Sequence, residues 1–391
     1  MNERFKFYYS GQRSSDVSPE DYLEDFNPAI MLTFADFYKK QSSEGIRRFE
    51  ANRKKPKSKR AKLIMDSGAT FIYNRFIKKN TKGAPGTYIK DKRRIRYGYE
   101  ASIDLSFYET KEFKDFRDAY IEFVLKNDKY LDGYVNMDVI NDAEGSYKAQ
   151  KFMEARGCHP MPVYHLTDAQ DDIWLQRYID NGYDWICIGG ITPNPVTTLL
   201  EPLDRIWSNI LTDKDGMPKV KVHGLACTSH RLLFRYPWYS ADSATWTKLG
   251  AWGGIYVPRK VAGAYSFGAD SPPYGIQVST ESSKIGDKDN HFIPLGKATP
   301  NVQKAITDWL DYIGVPIGAG GKVREKEMGG GVIESIAKRI PSHGVDDSKQ
   351  KKGVINDYQC RMMANLSFWQ AMEEALPDWP RPFEHKEPTL F

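Results

Sequence analysis

Two aspartates lie where predicted strands end, a place where a carboxylate contributes little to packing and is available for chemistry. Asp66 ends an apolar run and is followed at once by Ser67 and Gly68. Asp242 lies in a second strand-like run, which is rich in aromatic residues. One carboxylate of such a pair can attack a sugar carbon while the other carries a proton to or from the leaving group. The two residues therefore raise the hypothesis of a glycosyl-transfer site, provided that the fold brings them together.

Alternating strand-like and helical segments are the elements that must position these acids. The predicted strands are residues 29–34, 62–65, 133–139, 162–165, 185–190, 220–224 and 236–246. The predicted helices between them are residues 111–126, 143–156, 169–181, 202–211 and 230–236. Short strands separated by helices predict a parallel sheet, and we expect an α/β fold of the (β/α)8 TIM-barrel type. No Gly-x-Gly-x-x-Gly follows the first strand, which disfavours a dinucleotide-binding fold.

Further polar or small residues lie at the ends of other predicted strands. They are Asp138, His165, Gly189, Gly190 and His223. Barrel enzymes carry their active sites at the carboxyl ends of the strands, so we expect these residues to share one face with Asp66 and Asp242. His165 and His223 are equally consistent with buried histidines that have only structural partners.

The pattern weakens after Asp242, where we predict a strand at 253–257, a hairpin of 276–278 with 291–293, and a helix at 302–313. The predicted organisation is a single domain over 1–391. It carries a basic insertion at about 46–100, an irregular insertion with a Gly-rich loop at about 259–352, and a closing C-terminal helix at about 354–376.

Composition restricts the class of protein. Of the 391 residues, 40% are hydrophobic, which is enough for a large core and too much for a disordered chain. No apolar run approaches the ~18–20 residues of a membrane helix, and the first residues lack a signal-peptide pattern. We therefore expect a cytoplasmic protein without a membrane partner. The four cysteines have no CxxC or CxC spacing, which disfavours a local zinc cluster and a disulfide framework.

Two basic stretches lie on either side of Asp66, and the second has tyrosines interleaved with it. Such a mixture suits contacts with phosphates and stacking on unpaired bases, although solvated basic loops would look the same. The residues that we expect to contact nucleic acid are Arg53, Lys54, Lys55, Arg60, Arg93, Arg94 and Arg96.

Several motifs together resemble the tRNA-guanine transglycosylases, and more closely their DNA-modifying relatives from phages and bacterial islands. Residues 66–70 (Asp-Ser-Gly-Ala-Thr) are similar to the family's Asp-Ser-Gly-Gly-aromatic motif, and residues 188–191 to its Gly-Gly-Leu loop. Residues 223–225 fall where the family has Met-Gly-Val-Gly, and Asp242 falls at its nucleophile. Residues 365–368 (Asn-Leu-Ser-Phe) resemble its Asn-Leu-x-Phe. The resemblance spans about residues 28–376.

The resemblance implies a pentosyltransferase that exchanges guanine for a 7-deazaguanine. Asp242 would attack C1′ and form a covalent glycosyl-enzyme. Asp66 would be the general acid/base. Exchange with retained configuration requires two displacements, which agrees with a carboxylate nucleophile beside a second acid that holds a proton near neutral pH.

The resemblance also assigns residues to the base. Asp138 would bind its Watson–Crick edge, and the backbone of Gly189 and Gly190 would face its carbonyl oxygen. The further base-binding candidates are Ser67, His165, His223, which would lie against the ring, and Phe71, which could take over stacking from the position held by Thr70.

Departures from the family pattern set the expected cofactor and partners. No three-cysteine cluster follows Asp242, and Ala364 stands where the family has a histidine, so we expect that the zinc site is lost and that no cofactor is needed. Residues 235–243 are similar to the DNA-modifying branch, which favours DNA over tRNA as the polymer.

The expected partners are DNA and a free, preQ0-like 7-deazaguanine base. A DNA-opening partner protein and a homodimer stay open. The alternatives are a zinc-less tRNA-guanine transglycosylase, a non-catalytic nucleic-acid-binding barrel subunit, and a glycoside hydrolase, which the basic aromatic stretches fit poorly.

Overall fold

The apolar runs that end in small or polar residues fold as strands of one parallel sheet. The computed structural model describes residues 3–11, 28–40, 43–80, 105–140, 142–166, 171–192, 194–268, 270–279, 292–318 and 352–384. These residues form two compact units, one up to Ser243 together with 377–384, the other from Ala244 to Leu376. The expectation of a single domain stays a prediction.

The first unit contains eight strands, and all of their pairings are parallel. The strands are β1 (Lys6–Tyr9), β2 (Ala29–Thr33), β3 (Leu63–Asp66), β4 (Gly133–Tyr134), β5 (Val163–His165), β6 (Trp185–Gly189), β7 (Lys221–Gly224) and β8 (Ser240–Ser243). Their order in the sheet is β4-β3-β2-β1-β8-β7-β6-β5. The prediction of an α/β fold with a parallel sheet is thus confirmed.

Among the described residues, the sheet is curled but does not form the closed barrel that we expected. Its first strand in the sequence, β1, pairs with its last, β8, in the middle of the sheet order. Tyr8 lies in register with Asp242 across β1 and β8. The edge strands β4 and β5 do not pair with each other. Between the residues next to them there is an isolated parallel bridge of Val135 with Met161, where the Met161 N–H donates to the Tyr134 carbonyl at 2.8 Å.

The aromatic strand β1 was not predicted, and two predicted strands were wrong in length. The predicted strand 236–246 is limited to β8, with a helix from Thr245, and the predicted strand 133–139 is limited to β4. Beyond Tyr134 the pairing is reduced to the isolated bridge of Val135 with Met161, where the Asn136 N–H donates to the Met161 carbonyl at 2.9 Å.

Helices follow or precede most strands of the first unit. They are α1 (Phe34–Phe37), α2 (Ser43–Lys54), α3 (Ala69–Asn80), α4 (Lys111–Asn127), α5 (Ala143–Glu154), α6 (Asp172–Asp180), α7 (Val196–Ile206) and α8 (His230–Arg235). A π-helical turn (Trp207–Leu211) extends α7. The sequence marks their starts: Thr110 accepts a hydrogen bond from the Phe113 N–H at the start of α4, and Asp142 accepts one from the Gly145 N–H at the start of α5.

The core has an inner and an outer layer, one on each face of the sheet. The inner cluster consists of Tyr8, Ala29, Met31, Ile64, Val135, Met161, Val163 and Cys187. On the other face, residues such as Leu32, Met65, Phe116 and Tyr120 belong to a larger, aromatic-rich cluster between strands and helices. Strands buried on both faces explain why the sequence shows continuous apolar runs rather than alternation.

The second unit has its own small sheet and helices. Its elements are α9 (Thr245–Ala251), β9 (Gly254–Val257), β10 (Arg259–Val261), β11 (Ala264–Ser266), β12 (Tyr274–Gln277), β13 (Phe292–Pro294), α10 (Pro300–Tyr312) and α11 (Tyr358–Ala375). Asn365, from the motif in the last helix, is fully buried and accepts a hydrogen bond from the Tyr256 N–H at 2.9 Å. Its contacts within this unit are structural.

The predicted hairpin of 276–278 with 291–293 was wrong. β12 and β13 run parallel, and β12 takes β9 as its antiparallel partner. A parallel pair cannot be joined by a tight turn, because the chain must first return to the same end of the sheet.

The strand at 253–257, the helix at 302–313 and the closing helix were predicted correctly within a few residues. The Gly-rich loop lies outside the described residues beyond Gly318. No helix among the described residues has the length and apolar character to cross a membrane.

Candidate active site

The predicted acids lie at or just beyond the carboxyl ends of the parallel strands, and therefore at the same end of the sheet. Asp66 ends β3, Asp242 lies in the last half of β8, and Asp138 follows β4 by four residues. His165 and Gly189 end the neighbouring strands β5 and β6 and lie in register with each other. The fold therefore gathers residues that are far apart in the sequence.

Asp66 has an environment that favours its neutral form. Its carboxylate accepts hydrogen bonds from the Thr33 hydroxyl and from the Gly68 N–H, the latter at 3.1 Å. Burial, with smaller contributions from the carboxylates of Asp138 and Asp242, nevertheless raises the pKa of Asp66 to about 7. An acid with this pKa can both give and take a proton near neutral pH.

The three carboxylates also influence the thiol of Cys187, a residue of the inner hydrophobic cluster. Burial raises the pKa of the Cys187 thiol, and the charges of Asp242, Asp138 and Asp66 raise it further. Two different groups, Asp66 and Cys187, are thus under the influence of acids from different strands. The predicted convergence of Asp66, Asp138 and Asp242 is consistent with both shifts.

Gly68 fixes the turn that presents Asp66. Its φ is +77°, a region in which side chains are strained. A Cβ atom added there would lie 3.1 Å from the backbone nitrogen of Ala35 and 3.2 Å from the Thr33 hydroxyl oxygen. The glycine of the Asp-Ser-Gly motif is therefore required by backbone conformation and by the close approach of the chain after β2.

Asp242 is held by donors on both of its oxygens. Its Oδ1 accepts a hydrogen bond from the Ala226 N–H at 2.8 Å, and its Oδ2 accepts one from the Ser10 hydroxyl at 3.1 Å. Ala226 has a φ of +53°, which is unusual for a residue other than glycine. A strained backbone conformation persists where the surrounding structure holds it in place. Here it directs the Ala226 N–H toward the Asp242 carboxylate.

His223 lies beside Asp242 and is fully buried. Its Nδ1 is 2.8 Å from the Ser240 hydroxyl oxygen, and its Nε2 is 3.4 Å from Asp242 Oδ1. The Tyr8 ring meets the imidazole edge-on, with 5.8 Å between ring centroids. The role of His223 against a base stays a prediction, whereas its contacts link it to the candidate nucleophile.

Asp138 and His165 form a buried pair. His165 Nε2 and Asp138 Oδ2 are 2.7 Å apart. The imidazole lies so close to Gly189 that an added Cβ would be 2.8 Å from His165 Nδ1. Gly190 has a φ of +78°. The Gly-Gly sequence thus makes room for the histidine ring and then turns the chain.

Two further base-binding candidates have mainly structural surroundings. Ser67 is buried, and its hydroxyl accepts a hydrogen bond from the Ala69 N–H at 3.3 Å. Phe71 is partly buried in the first turns of α3 and packs against the outer hydrophobic cluster. Their roles toward a base stay predictions.

The first basic stretch lies at the opposite end of the strands from the acids. Residues 55–62 lead into the amino end of β3, whose four residues span roughly 10 Å before Asp66. Arg60 donates to the carbonyl oxygens of Arg53 and Lys55 at 3.2 and 2.9 Å and lies over the Tyr130 ring. The structure therefore does not bring these residues to the acids.

The remaining members of the predicted nucleic-acid contact set differ in their surroundings. Arg53 pairs with Glu50 at 2.6 Å, while Lys54 is exposed and Lys55 half-buried. Arg93, Arg94 and Arg96 lie outside the described residues. Contact with nucleic acid stays a prediction for all seven.

Three residues of the site were missed by the sequence reasoning: Ser10, Thr33 and Ala226. Ser10 and Thr33 each stand at the end of a strand rich in apolar or aromatic residues, the same signal that identified Asp66. Ala226 contributes only a backbone N–H, for which the sequence carries no signal.

Within the described ranges, no three His, Cys, Asp or Glu side chains are placed to hold a metal ion, and the loss of zinc stays a prediction. No protein-family model matches the chain, and a search of curated proteins returned no significant match.

Proposed function

We propose that this protein is a base-exchange transglycosylase that replaces guanine in DNA with a 7-deazaguanine, on a scaffold of the (β/α)8 barrel type. One observation carries the proposal: two acids at the ends of β3 and β8 have unequal environments. Asp66 has a pKa of about 7. Both oxygens of Asp242 accept hydrogen bonds, one from the Ala226 N–H and one from the Ser10 hydroxyl, as suits a carboxylate. These are the properties required of a proton carrier and of a nucleophile.

In the first displacement, Asp242 attacks C1′ of the target nucleotide and forms an ester bond to it. The C1′–N9 bond of guanine breaks, and its electron pair stays on N9. Protonated Asp66 gives its proton to N9, so that guanine leaves neutral and Asp66 becomes ionised. The raised pKa of Asp66 supports this step, because at neutral pH a large fraction of the Asp66 carboxyl groups holds a proton.

In the second displacement, a 7-deazaguanine takes the place of guanine. Ionised Asp66 removes the proton from its N9, and N9 attacks C1′. The ester bond breaks, and the electron pair returns to Asp242. Both acids regain their initial states, and two inversions at C1′ leave the configuration unchanged.

The base would be recognised between the ends of β4, β5 and β6. Asp138 offers carboxylate oxygens to the donors of a guanine edge, and His165 fixes the orientation of Asp138 through the 2.7 Å contact. A base within duplex DNA must first leave the stack, at a cost of a few kcal/mol. A DNA-opening partner protein would supply that step, and a homodimer stays open as well.

The choice of DNA depends on the resemblance of residues 235–243, since the chemistry at C1′ would be the same on tRNA. We would incubate the protein with a labelled 7-deazaguanine and either single-stranded DNA or tRNA. Label in DNA supports the proposal, and label in tRNA alone supports the zinc-less tRNA enzyme instead. A covalent protein–DNA adduct on a denaturing gel, present in the wild type and absent in Asp242→Ala, identifies the nucleophile. A non-catalytic subunit would give neither label nor adduct.

A further inference from the structure

The two oxygens of Asp242 have different neighbours. Oδ1 accepts from the Ala226 N–H at 2.8 Å and faces His223 Nε2 at 3.4 Å. Oδ2 has the Ser10 hydroxyl at 3.1 Å. A fully buried imidazole nitrogen is costly to leave without a partner, and among the described residues His223 Nε2 has no hydrogen bond of ordinary geometry.

The network around His223 fixes which nitrogen carries the hydrogen. The ionised Asp242 carboxylate can only accept, so a favourable contact with Oδ1 requires an N–H at Nε2. Nδ1 is then the acceptor, and the Ser240 hydroxyl donates to it across 2.8 Å. The tautomer of His223 is thus assigned from two contacts, the hydrogen bond of Ser240 to Nδ1 and the 3.4 Å approach of Nε2 to Asp242 Oδ1.

We propose that His223 is a positioning residue for Asp242: with the Ala226 N–H it holds Oδ1, and Oδ2 is the oxygen that attacks C1′. This inference rests on the proposed function. The bond to C1′ forms from an electron pair of Oδ2, and Oδ1 becomes the carbonyl oxygen of the ester. In the second displacement the Oδ2–C1′ bond breaks and the pair returns to the carboxylate.

A consequence of this contact is that it limits how much of the covalent intermediate accumulates. An N–H that faces a carboxylate, as Nε2–H faces Oδ1 at 3.4 Å, is attracted more strongly by the charged oxygen than by the carbonyl oxygen of a neutral ester. His223 therefore stabilises the free carboxylate more than the ester. It makes Asp242 a better leaving group in the second displacement and keeps the glycosyl-enzyme from accumulating.

The test measures the ratio of covalent adduct to free enzyme at equilibrium with single-stranded DNA and a fixed concentration of guanine. His223→Met removes the N–H donor at similar volume, and we expect the ratio to rise about tenfold, which equals about 1.4 kcal/mol. His223→Gln retains an N–H donor and should stay near the wild-type ratio. Cys187→Ala is the matched control, because Cys187 is fully buried and lies in register with His223 on the neighbouring strand. It should leave the ratio unchanged.

The outcomes separate this inference from the proposed function. If the wild type forms no adduct that depends on Asp242, the proposed function fails and this inference falls with it. If the wild type forms the adduct and a folded His223→Met protein shows an equal or lower ratio, only the inference is overturned.

Imidazole 15N spectra provide a measurement that does not need activity or a folded His223→Met protein. We expect the Nε2–H tautomer of His223 in the wild type and a change of its signals in Asp242→Asn. The signals of His165 should not change. An unprotonated Nε2 in the wild type would overturn the proposal.

Discussion

The carboxyl group of Asp66 should make the protein less stable as the pH rises, and Asp66→Asn should remove this effect. Folding raises the pKa of Asp66 from its ordinary value of 3.8 to about 7. Below about pH 4 the group is protonated in the folded and unfolded states alike, so its ionisation does not lower the free energy of unfolding. Stability is then lost as the pH rises from about 4 to about 7, because the unfolded state releases this proton while the partly buried Asp66 of the folded state retains it. Above about pH 7 the folded state ionises as well, and the loss is complete.

The size of the loss follows from the two values. Each pH unit between them corresponds to 1.36 kcal/mol, which gives a total of roughly 4 kcal/mol. Asparagine keeps an oxygen that can accept from the Thr33 hydroxyl and the Gly68 N–H, so the variant preserves the turn. We compare the free energies of unfolding of Asp66→Asn and the wild type. Their difference should shift in favour of Asp66→Asn by up to roughly 4 kcal/mol between about pH 4 and pH 8.

Urea unfolding of both proteins at several pH values between about 4 and 8 measures this difference. The two proteins share every other titratable group, so the difference between their curves isolates Asp66. Asp128→Asn, at an exposed position, is the control and should give a nearly constant offset. A difference between wild type and Asp66→Asn that is constant with pH, or that grows in favour of the wild type, would refute the reasoning.

Two other substitutions test the surroundings of the site. In Gly189→Ala the new Cβ would lie 2.8 Å from His165 Nδ1, so we expect a loss of about 1–3 kcal/mol in the free energy of unfolding. The proposed base exchange should fall as well, because the shifted His165 separates from Asp138. Unchanged His165 15N signals in this variant would contradict that expectation. Arg60→Ala should lower the free energy of unfolding by about 1–2 kcal/mol, because it loses the carbonyl contacts at the end of α2 and the Tyr130 ring. Lys57→Ala, at an exposed position nearby, should change it by less than ~0.5 kcal/mol, and equal effects would argue against a structural role for Arg60.

The sequence predicted the strands that carry the acids because each is buried on both faces. A run such as Leu63–Asp66 is apolar until the point where it meets the site, and that change of character marks both the strand and its functional end. β1 has the same character, with an aromatic run before Ser10, but it was not recognised. The first strand of the sheet and one donor to Asp242 were missed together.

The position of the basic stretch could not be predicted from composition. Arg60 reads as a surface charge in the sequence, yet its guanidinium binds carbonyl oxygens at the end of α2. A segment that precedes a strand lies at the strand's amino end, whereas the acids lie at the carboxyl ends, so charge alone says nothing of its distance from the acids. The contact between His223 and Asp242 was likewise not predicted, since it depends on the register of β7 against β8.

The pairing of β1 with β8 has a consequence for how the molecule is made. Asp66 and Asp138 are synthesised early, but the partner of Tyr8 across the sheet is Asp242. At 5–20 residues per second, β8 follows β1 from the ribosome after roughly 10–50 s. During that interval β1 is a strand edge that can pair with other chains, which makes nascent chains prone to aggregation. The same order delays Asp242, the proposed nucleophile, until the sheet can form around it, so an incomplete chain has Asp66, the proposed proton carrier, without its proposed partner.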